Sequence, residues 1–367
     1  MSQLPFQIEP PFKGIVRDVP APGDPHAFDD VVNFFCRKSR IHTRPRMNSY
    51  SPGPPPDSAP IRGMQSFIDV LGLRHTLVLT TLHAYFISPN TPGGWLEIGM
   101  TRGGLYRPTG LPFSILNVIE RLYFCDGSMP VQYADGESTI KFSGNVPGPC
   151  RFLTTNASHL IGANWLETTP SGFRHYPKRV RWTANGIIAG GDDDWINDPS
   201  AGVADLLEVP DEITGLSTAY GNTYVYRTNG ISVMIPTGIG TKPFTIQLLS
   251  GAPEGIGNIY PYALASYDAY TVSISKDDIW LMTQGVTYQR LAGGKVKKAI
   301  FQDLAGATGD QVVGKIIPRI GSGFDFLSYW LSIPGKCVWV YNQEDDNWTR
   351  VVSSKGWITA LEGVLVS

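Results

Sequence analysis

Three adjacent carboxylates, Asp192, Asp193 and Asp194, form the densest polar cluster in the chain. Such oxygens can bind Ca²⁺, but calcium loops space their acids alternately. Neighbouring residues of an extended segment point to opposite faces. The run therefore reads as a solvated turn, and so does Lys276-Asp277-Asp278. The six histidines (26, 42, 75, 83, 159 and 175) show no metal-ligand spacing, and His75 and His83 read as ordinary core or surface residues. Cys36, Cys125, Cys150 and Cys337 are widely scattered and include no CxxC pair. That pattern speaks against a zinc ribbon or a disulfide framework and for buried thiols from a reducing compartment. P-loop, HExxH and GxSxG motifs are all missing. The sialidase box Ser-x-Asp-x-Gly-x-x-Trp is missing too, and a glycosidase further needs two carboxylates facing each other across a pocket. The expectation is a chain without catalytic residues, cofactor or metal.

Two basic groups remain. Arg174, His175, Lys178, Arg179 and Arg181 crowd one segment, where alternation puts Arg179 and Arg181 on one side and Lys178 on the other. One face could meet DNA phosphate or an acidic subunit; equally, charged residues guard a blade edge against unwanted strand pairing. Lys295, Lys297 and Lys298 make a second patch with the same two readings. The whole chain has a net charge of −2, so no global basic excess points to nucleic acid or to an anionic membrane.

The elements that would position these residues are short strands. The 367 residues are 42% hydrophobic and only 17% charged, against about 25% in an ordinary domain. Gly 40, Pro 29 and abundant aromatic residues favour an all-β chain with many turns. Apolar runs recur in pairs: 83–88 with 94–99, the two halves of 121–134, 158–166 with 178–183 across a longer loop, then 224–235, 270–283 and 326–341. Asn229-Gly230, between alternating strands, is the strongest short hairpin signal. Further strand-like runs flank most pairs, as at 211–221, 243–251, 260–268, 286–292, 313–323 and 347–353.

Six four-stranded units at spacings of roughly 40–60 residues predict a β-propeller over 61–367. A pair of β-sandwiches is the structural rival. Residues 1–60 read as an extended arm ending in the stiff linker SPGPPPDSAP (51–60). The last segment, 356–367, could close the ring by pairing with a strand near 30–47, which would remove an open edge. No leader-like N-terminus is apparent, and the longest apolar stretch, 324–341, is broken by Pro334-Gly335, so no membrane span is expected. In VWVYNQEDDNWTRV (338–351) an acidic turn precedes Trp348. This pattern resembles kelch repeats, in which such a Trp packs between blades.

RHYPKRVRWTANG (174–186) followed by GGDDDWIND (190–198) is similar to segments of virion β-propellers of tailed bacteriophages. The blades at 211–238, 260–283 and 324–351 continue the resemblance, which spans roughly residues 150–352; NFFCRKSRIHTRPR (33–46) suits it as well. The family is the packaged-DNA stabilisation, tail-hub or nozzle proteins of short-tailed phages. The resemblance implies a structural virion protein at the head-to-tail connector, assembled in the host cytoplasm. It would form a homo-oligomeric ring, commonly sixfold, that contacts portal or adaptor proteins and tail fibres or spikes. The ring would extend the DNA channel and retain the packaged DNA through passive contact. Two other readings stay open: a carbohydrate-binding or glycan-cleaving propeller, and a kelch-like adaptor that lacks the double-glycine strand signature.

Overall fold

A computed structural model describes residues 34–37, 40–43, 54–87, 94–100, 110–186, 194–285, 287–294, 296–317 and 327–352. The N-terminal arm before residue 34, residues 51–53 of the linker, and the segment 356–367 expected to close the ring lie outside these residues.

Strands β1 (Phe34–Arg37) and β2 (Arg40–Thr43) form a separate hairpin. Six sheets then follow one another in chain order. The first blade holds β3 (Ile61–Ile68), β4 (Arg74–Thr80), β5 (Ala84–Ile87) and β6 (Trp95–Glu97). A two-residue strand, β7 (Gly99–Met100), crosses to the second blade, formed by β8 (Ser114–Val118), β9 (Arg121–Cys125), β10 (Gln132–Ala134) and β11 (Thr139–Phe142). There β7 lies parallel to β11 and gives this sheet a fifth strand. The third blade has β12 (Cys150–Asn156), β13 (His159–Thr169), β14 (Gly172–Trp182) and β15 (Gly202–Asp205). The fourth has β16 (Ile213–Ala219), β17 (Asn222–Arg227), β18 (Ile231–Ile239) and β19 (Lys242–Leu248). The fifth has β20 (Ala265–Tyr267), β21 (Tyr270–Ile274), β22 (Ile279–Thr283) and β23 (Thr287–Arg290). An eight-residue helix, α1 (Lys297–Leu304), leads to the sixth, with β24 (Val313–Ile317), β25 (Ser328–Ile333), β26 (Cys337–Asn342) and β27 (Asn347–Val351). The fold is an all-β, six-bladed propeller in which the four strands of every blade pair antiparallel.

Inner strands β3, β8, β12, β16, β20 and β24 succeed one another around an axis. Each blade is a continuous piece of chain, so blades adhere through side chains rather than shared strands. The buried apolar residues gather accordingly between neighbours. Phe67, Leu77 and Phe86 of blade 1 meet Leu122 and Phe124 of blade 2. Tyr123 and Cys125 of blade 2 meet Cys150 and Trp165 of blade 3. Equivalent clusters join blades 3 and 4, 4 and 5, and 5 and 6. Blade 6 meets blade 1 where the Lys315 ammonium donates to the Gln65 carboxamide at 3.3 Å. Hairpin strand β1 runs beside β27, the outermost strand of blade 6.

One expectation needs correction. The run 158–166 and the run 178–183 are not separated by a loop: β13 and β14 continue to Thr169 and Gly172, leaving only Pro170-Ser171 between them. The extension holds because Leu166 and Thr168 donate their N–H groups to the carbonyls of Pro149 and Pro147. The pair 83–88 and 94–99 forms the outer half of its blade, behind β3 and β4.

Candidate functional site

A cavity of about 500 Å³ opens on the axis, lined by all six inner strands. Its polar wall includes Gln65, Ser114, Thr154, Ser217, Ser266 and Lys315, one from each blade. These side chains also tie the ring together. The Ser114 hydroxyl accepts the Leu153 N–H at 3.0 Å, joining blades 2 and 3. Thr154 and Thr218 share a hydroxyl hydrogen bond of 2.9 Å between blades 3 and 4. Ser266 donates to Ser217 at 2.8 Å between blades 5 and 4. No carboxylate and no histidine stands among the described lining residues. The cavity has the size of a small-molecule site, but its described wall holds no facing pair for general acid and base catalysis.

Arg151, on β12, reaches away from its own blade. Its Nε donates to the Tyr262 hydroxyl at 3.3 Å, and its guanidinium pairs with Asp310. Tyr262 and Asp310 precede blades 5 and 6, so one cation ties three blades together. Burial alone would lower the Arg151 pKa, but Tyr262 and Asp310 outweigh it and hold the guanidinium charged. Burial raises the Tyr262 phenol well above its ordinary value.

The basic segment sits on β14 with its charges largely answered. Glu167, buried on β13, accepts Arg179 Nη1 at 2.8 Å and Arg181 Nε at 2.6 Å. Asp205, on β15, accepts Arg179 Nε and Nη2, each at 2.7 Å. Two guanidiniums thus face two carboxylates. The Arg179 guanidinium also lies 3.6 Å from the Tyr176 ring centroid, with Arg174 on the same ring at 5.1 Å. The hydrogen bond from Arg179 pulls Asp205 below the usual carboxylate range, and the bond to Asp205 in turn raises Arg179 further. Arg174 is exposed and Lys178 half-buried. In the second basic group, Lys297 and Lys298 open helix α1 and Lys295 lies outside the described residues. Cations at a helix N-terminus oppose the dipole, so this pair does not stabilise the helix.

Asp194 is a buried turn residue, while Asp192 and Asp193 lie outside the described residues. Asp194 Oδ1 accepts the N–H groups of Ile196 and Asn197 at 2.8 and 3.0 Å, and Oδ2 accepts Asn145 Nδ2 of blade 2 at 2.7 Å. Burial pushes its pKa up, but these hydrogen bonds win and the net shift is downward. His75 pairs with Asp69 at 2.8 Å, and His83 with Asp57 at 3.1 Å. The described residues contain no cluster of three or more metal-ligating side chains.

The tryptophans after the acidic turns have a defined task. Trp195 follows Asp194 and donates its indole N–H to Ser143 of blade 2 at 2.8 Å. Trp348 follows the turn Glu344-Asp345-Asp346-Asn347 and donates to the Leu291 carbonyl of blade 5 at 2.9 Å. Both rings are fully buried. Each stands on its own blade and clasps the preceding one. Within the turn, Asn342 donates to Asp345 and the Tyr341 hydroxyl donates to Asp346, both at 2.9 Å, so the acidic residues hold the turn that aims Trp348.

Helix α1 went unpredicted. Ala299, Ile300 and Leu304 form its buried face, a spacing of one, four and five residues that was legible but short. Its Asp303 accepts Arg350 Nε and Trp339 Nε1, each at 2.9 Å, and so docks the helix on blade 6.

No described protein family matches this chain, and no curated protein matches it. Solved structures do resemble it in fold. The computationally designed Ika8 protein aligns over 82% of this chain and 75% of its own, at 12% identity and a TM-score of 0.45. The WD40 β-propeller domain of Doa1 aligns over 81% and 84%, at 11% identity and a TM-score of 0.44. BamB from Moraxella catarrhalis aligns over 82% and 76%, at 10% identity and a TM-score of 0.38. Among the described residues no helix is long and apolar enough to cross a membrane.

Proposed function

We propose that this chain is a non-enzymatic structural protein of a phage virion, a ring-forming component of the head-to-tail connector or tail hub. The supporting observation is the use made of the segments that carry the family resemblance. GGDDDWIND and VWVYNQEDDNWTRV become inter-blade clasps through Trp195 and Trp348. Chemistry is not their task; they hold a rigid disc together. A disc of this kind transmits force between neighbours above and below, and its turns offer two faces for partners. The axial cavity is too small for a nucleic-acid duplex, so any DNA channel would run through the centre of the assembled ring and not through one propeller.

The carbohydrate reading gains less. Of the eight described tryptophans, only Trp95 is not buried, which leaves few indole platforms for sugars. Exposed Phe173, Tyr220 and Tyr267, with half-buried Trp95, are the described aromatic surface it would have to use.

Negative-stain microscopy of the protein from its natural source, with class averages scored for rotational symmetry, tests the proposal. The expected result is a ring, alone or within a larger axial particle, with sixfold symmetry. Solitary discs in native material would overturn the proposal and turn attention to glycan binding.

A further inference from the structure

We propose that Cys125 and Cys150 form a latent inter-blade disulfide, a covalent latch between blades 2 and 3 that closes when the protein meets a disulfide oxidant. Cys125 ends β9, the second strand of blade 2, and Cys150 opens β12, the inner strand of blade 3. Their sulfurs stand 3.7 Å apart, in contact and unbonded. A disulfide needs about 2.05 Å, a gap that small side-chain rotations close. The two residues are 25 apart in sequence but belong to different sheets.

Among the three described cysteine side chains the surroundings favour this pair. Both sulfurs are buried among Tyr123, Val131, Leu153, Leu160 and Trp165. A Cβ at Gly162 would come within 3.1 Å of the Cys150 sulfur, so the missing side chain leaves that sulfur its room. Cys337 lies elsewhere, with its thiol 3.2 Å from Asp303 on α1. Burial, then the neighbouring Cys150, raises the Cys125 pKa, which lowers its thiolate fraction and makes its oxidation slow.

The exchange balances with a small-molecule disulfide as oxidant. One cysteine loses its proton and attacks the oxidant, forming a mixed disulfide and releasing one small thiol. The second cysteine, also losing its proton, displaces the other small thiol. Two protein S–H bonds and one oxidant S–S bond become one protein S–S bond and two oxidant S–H bonds. The latch matters because neighbouring blades share no strand, so nothing covalent otherwise joins blade 2 to blade 3 except the connecting chain.

The test incubates the native full-length chain with hydroxyethyl disulfide, quenches with acid, and alkylates the remaining thiols in denaturant. The expected result is a fall from four free thiols to two and a cross-linked peptide containing Cys125 and Cys150. Closing a loop of this length should also raise the unfolding temperature by about 5 °C, reversed by dithiothreitol. Cys125→Ala and Cys150→Ala should each abolish the cross-link and the temperature rise. Because either variant could fail to fold, the cross-link map of the unaltered chain decides the matter alone. Four thiols surviving native oxidation, a mixed disulfide that never resolves, or a bond to Cys36 or Cys337 would overturn the proposal.

Discussion

Replacing Trp348 tests whether the blades are held by clasps. The ring is fully buried, stacks edge-on against Trp339 at 6.4 Å between centroids, and donates to the Leu291 carbonyl across the blade boundary. Trp348→Ala removes the packing and leaves that carbonyl without its donor, at a cost of about 3–5 kcal/mol. Trp348→Phe keeps most of the apolar volume and loses chiefly the hydrogen bond, at a cost of about 1–2 kcal/mol. With a urea m-value of about 3 kcal/mol/M for a chain of this size, the midpoint should fall by roughly 1–1.5 M for alanine and by about 0.5 M for phenylalanine. Trp95, half-buried at a blade edge, serves as control, and its alanine variant should cost about 1 kcal/mol or less. Equilibrium urea unfolding followed by circular dichroism reads all three. Hydrogen exchange localises the effect, because residues 287–294 of blade 5 should lose protection although the substitution lies in blade 6. A midpoint shift for Trp348→Ala no larger than that of the Trp95 control would refute the clasp. So would lost protection confined to blade 6.

Other perturbations reach different parts of the argument for a rigid, charge-compensated disc. Glu167→Gln takes one of two carboxylates from Arg179 and Arg181 and should cost about 2 kcal/mol in urea unfolding, whereas exposed Arg174→Ala should cost less than about 0.5 kcal/mol. Burial raises the Asp303 pKa, but the Arg350 hydrogen bond and its other partners outweigh it and the net shift is downward. A depressed pKa gives stability that is present above the unfolded value, near 3.8, and lost as pH falls through the lower folded value. Stability should therefore drop below about pH 4, and Asp303→Asn should flatten that slope while weakening the protein at neutral pH, as read from unfolding midpoints across pH. Because Arg179 and Arg181 are already paired with Glu167 and Asp205, duplex DNA should bind with a Kd weaker than about 10 µM near 0.15 M salt. Fluorescence anisotropy that saturates well below that concentration would show that this basic surface is open to phosphate.

The sequence alone pointed to the propeller because a blade is a local object, although it left a pair of β-sandwiches open. Alternating apolar runs and short turns sit within some tens of residues of each other, so the hairpins of blades 2 to 6 and a count of about six were readable without knowing how blades meet; the exact number was left to the structure. The turn before Trp348 was readable for the same reason. Which turns adopt left-handed backbone was not. Asn229-Gly230 has the strongest sequence signal, yet neither residue has positive φ, and Asn229 instead donates its side-chain amide to Asp211 at 2.7 Å. The two-residue turns with positive φ at both positions are Ala157-Ser158 (48° and 64°) and Tyr220-Gly221 (52° and 72°). Gly221 takes such an angle freely, but strand pairing on either side imposes it on Ala157, Ser158 and Tyr220, which do not favour it.

Everything that depends on side chains from different strands or blades coming together was decided by the tertiary structure. The basic pattern of 174–181 suggested a surface for phosphate until folding brought Glu167 and Asp205 beside it from neighbouring strands. Asp194 passed for a solvated turn residue, but packing of blade 3 on blade 2 buried it against Asn145 of the preceding blade. Cys125 and Cys150 looked like isolated thiols because spacing along the chain says nothing about sulfurs on adjacent sheets. Local periodicity fixes strands and turns because those interactions are short in sequence. Charge pairing, burial and thiol contact here are long in sequence and short in space, and only the closed ring of blades sets them.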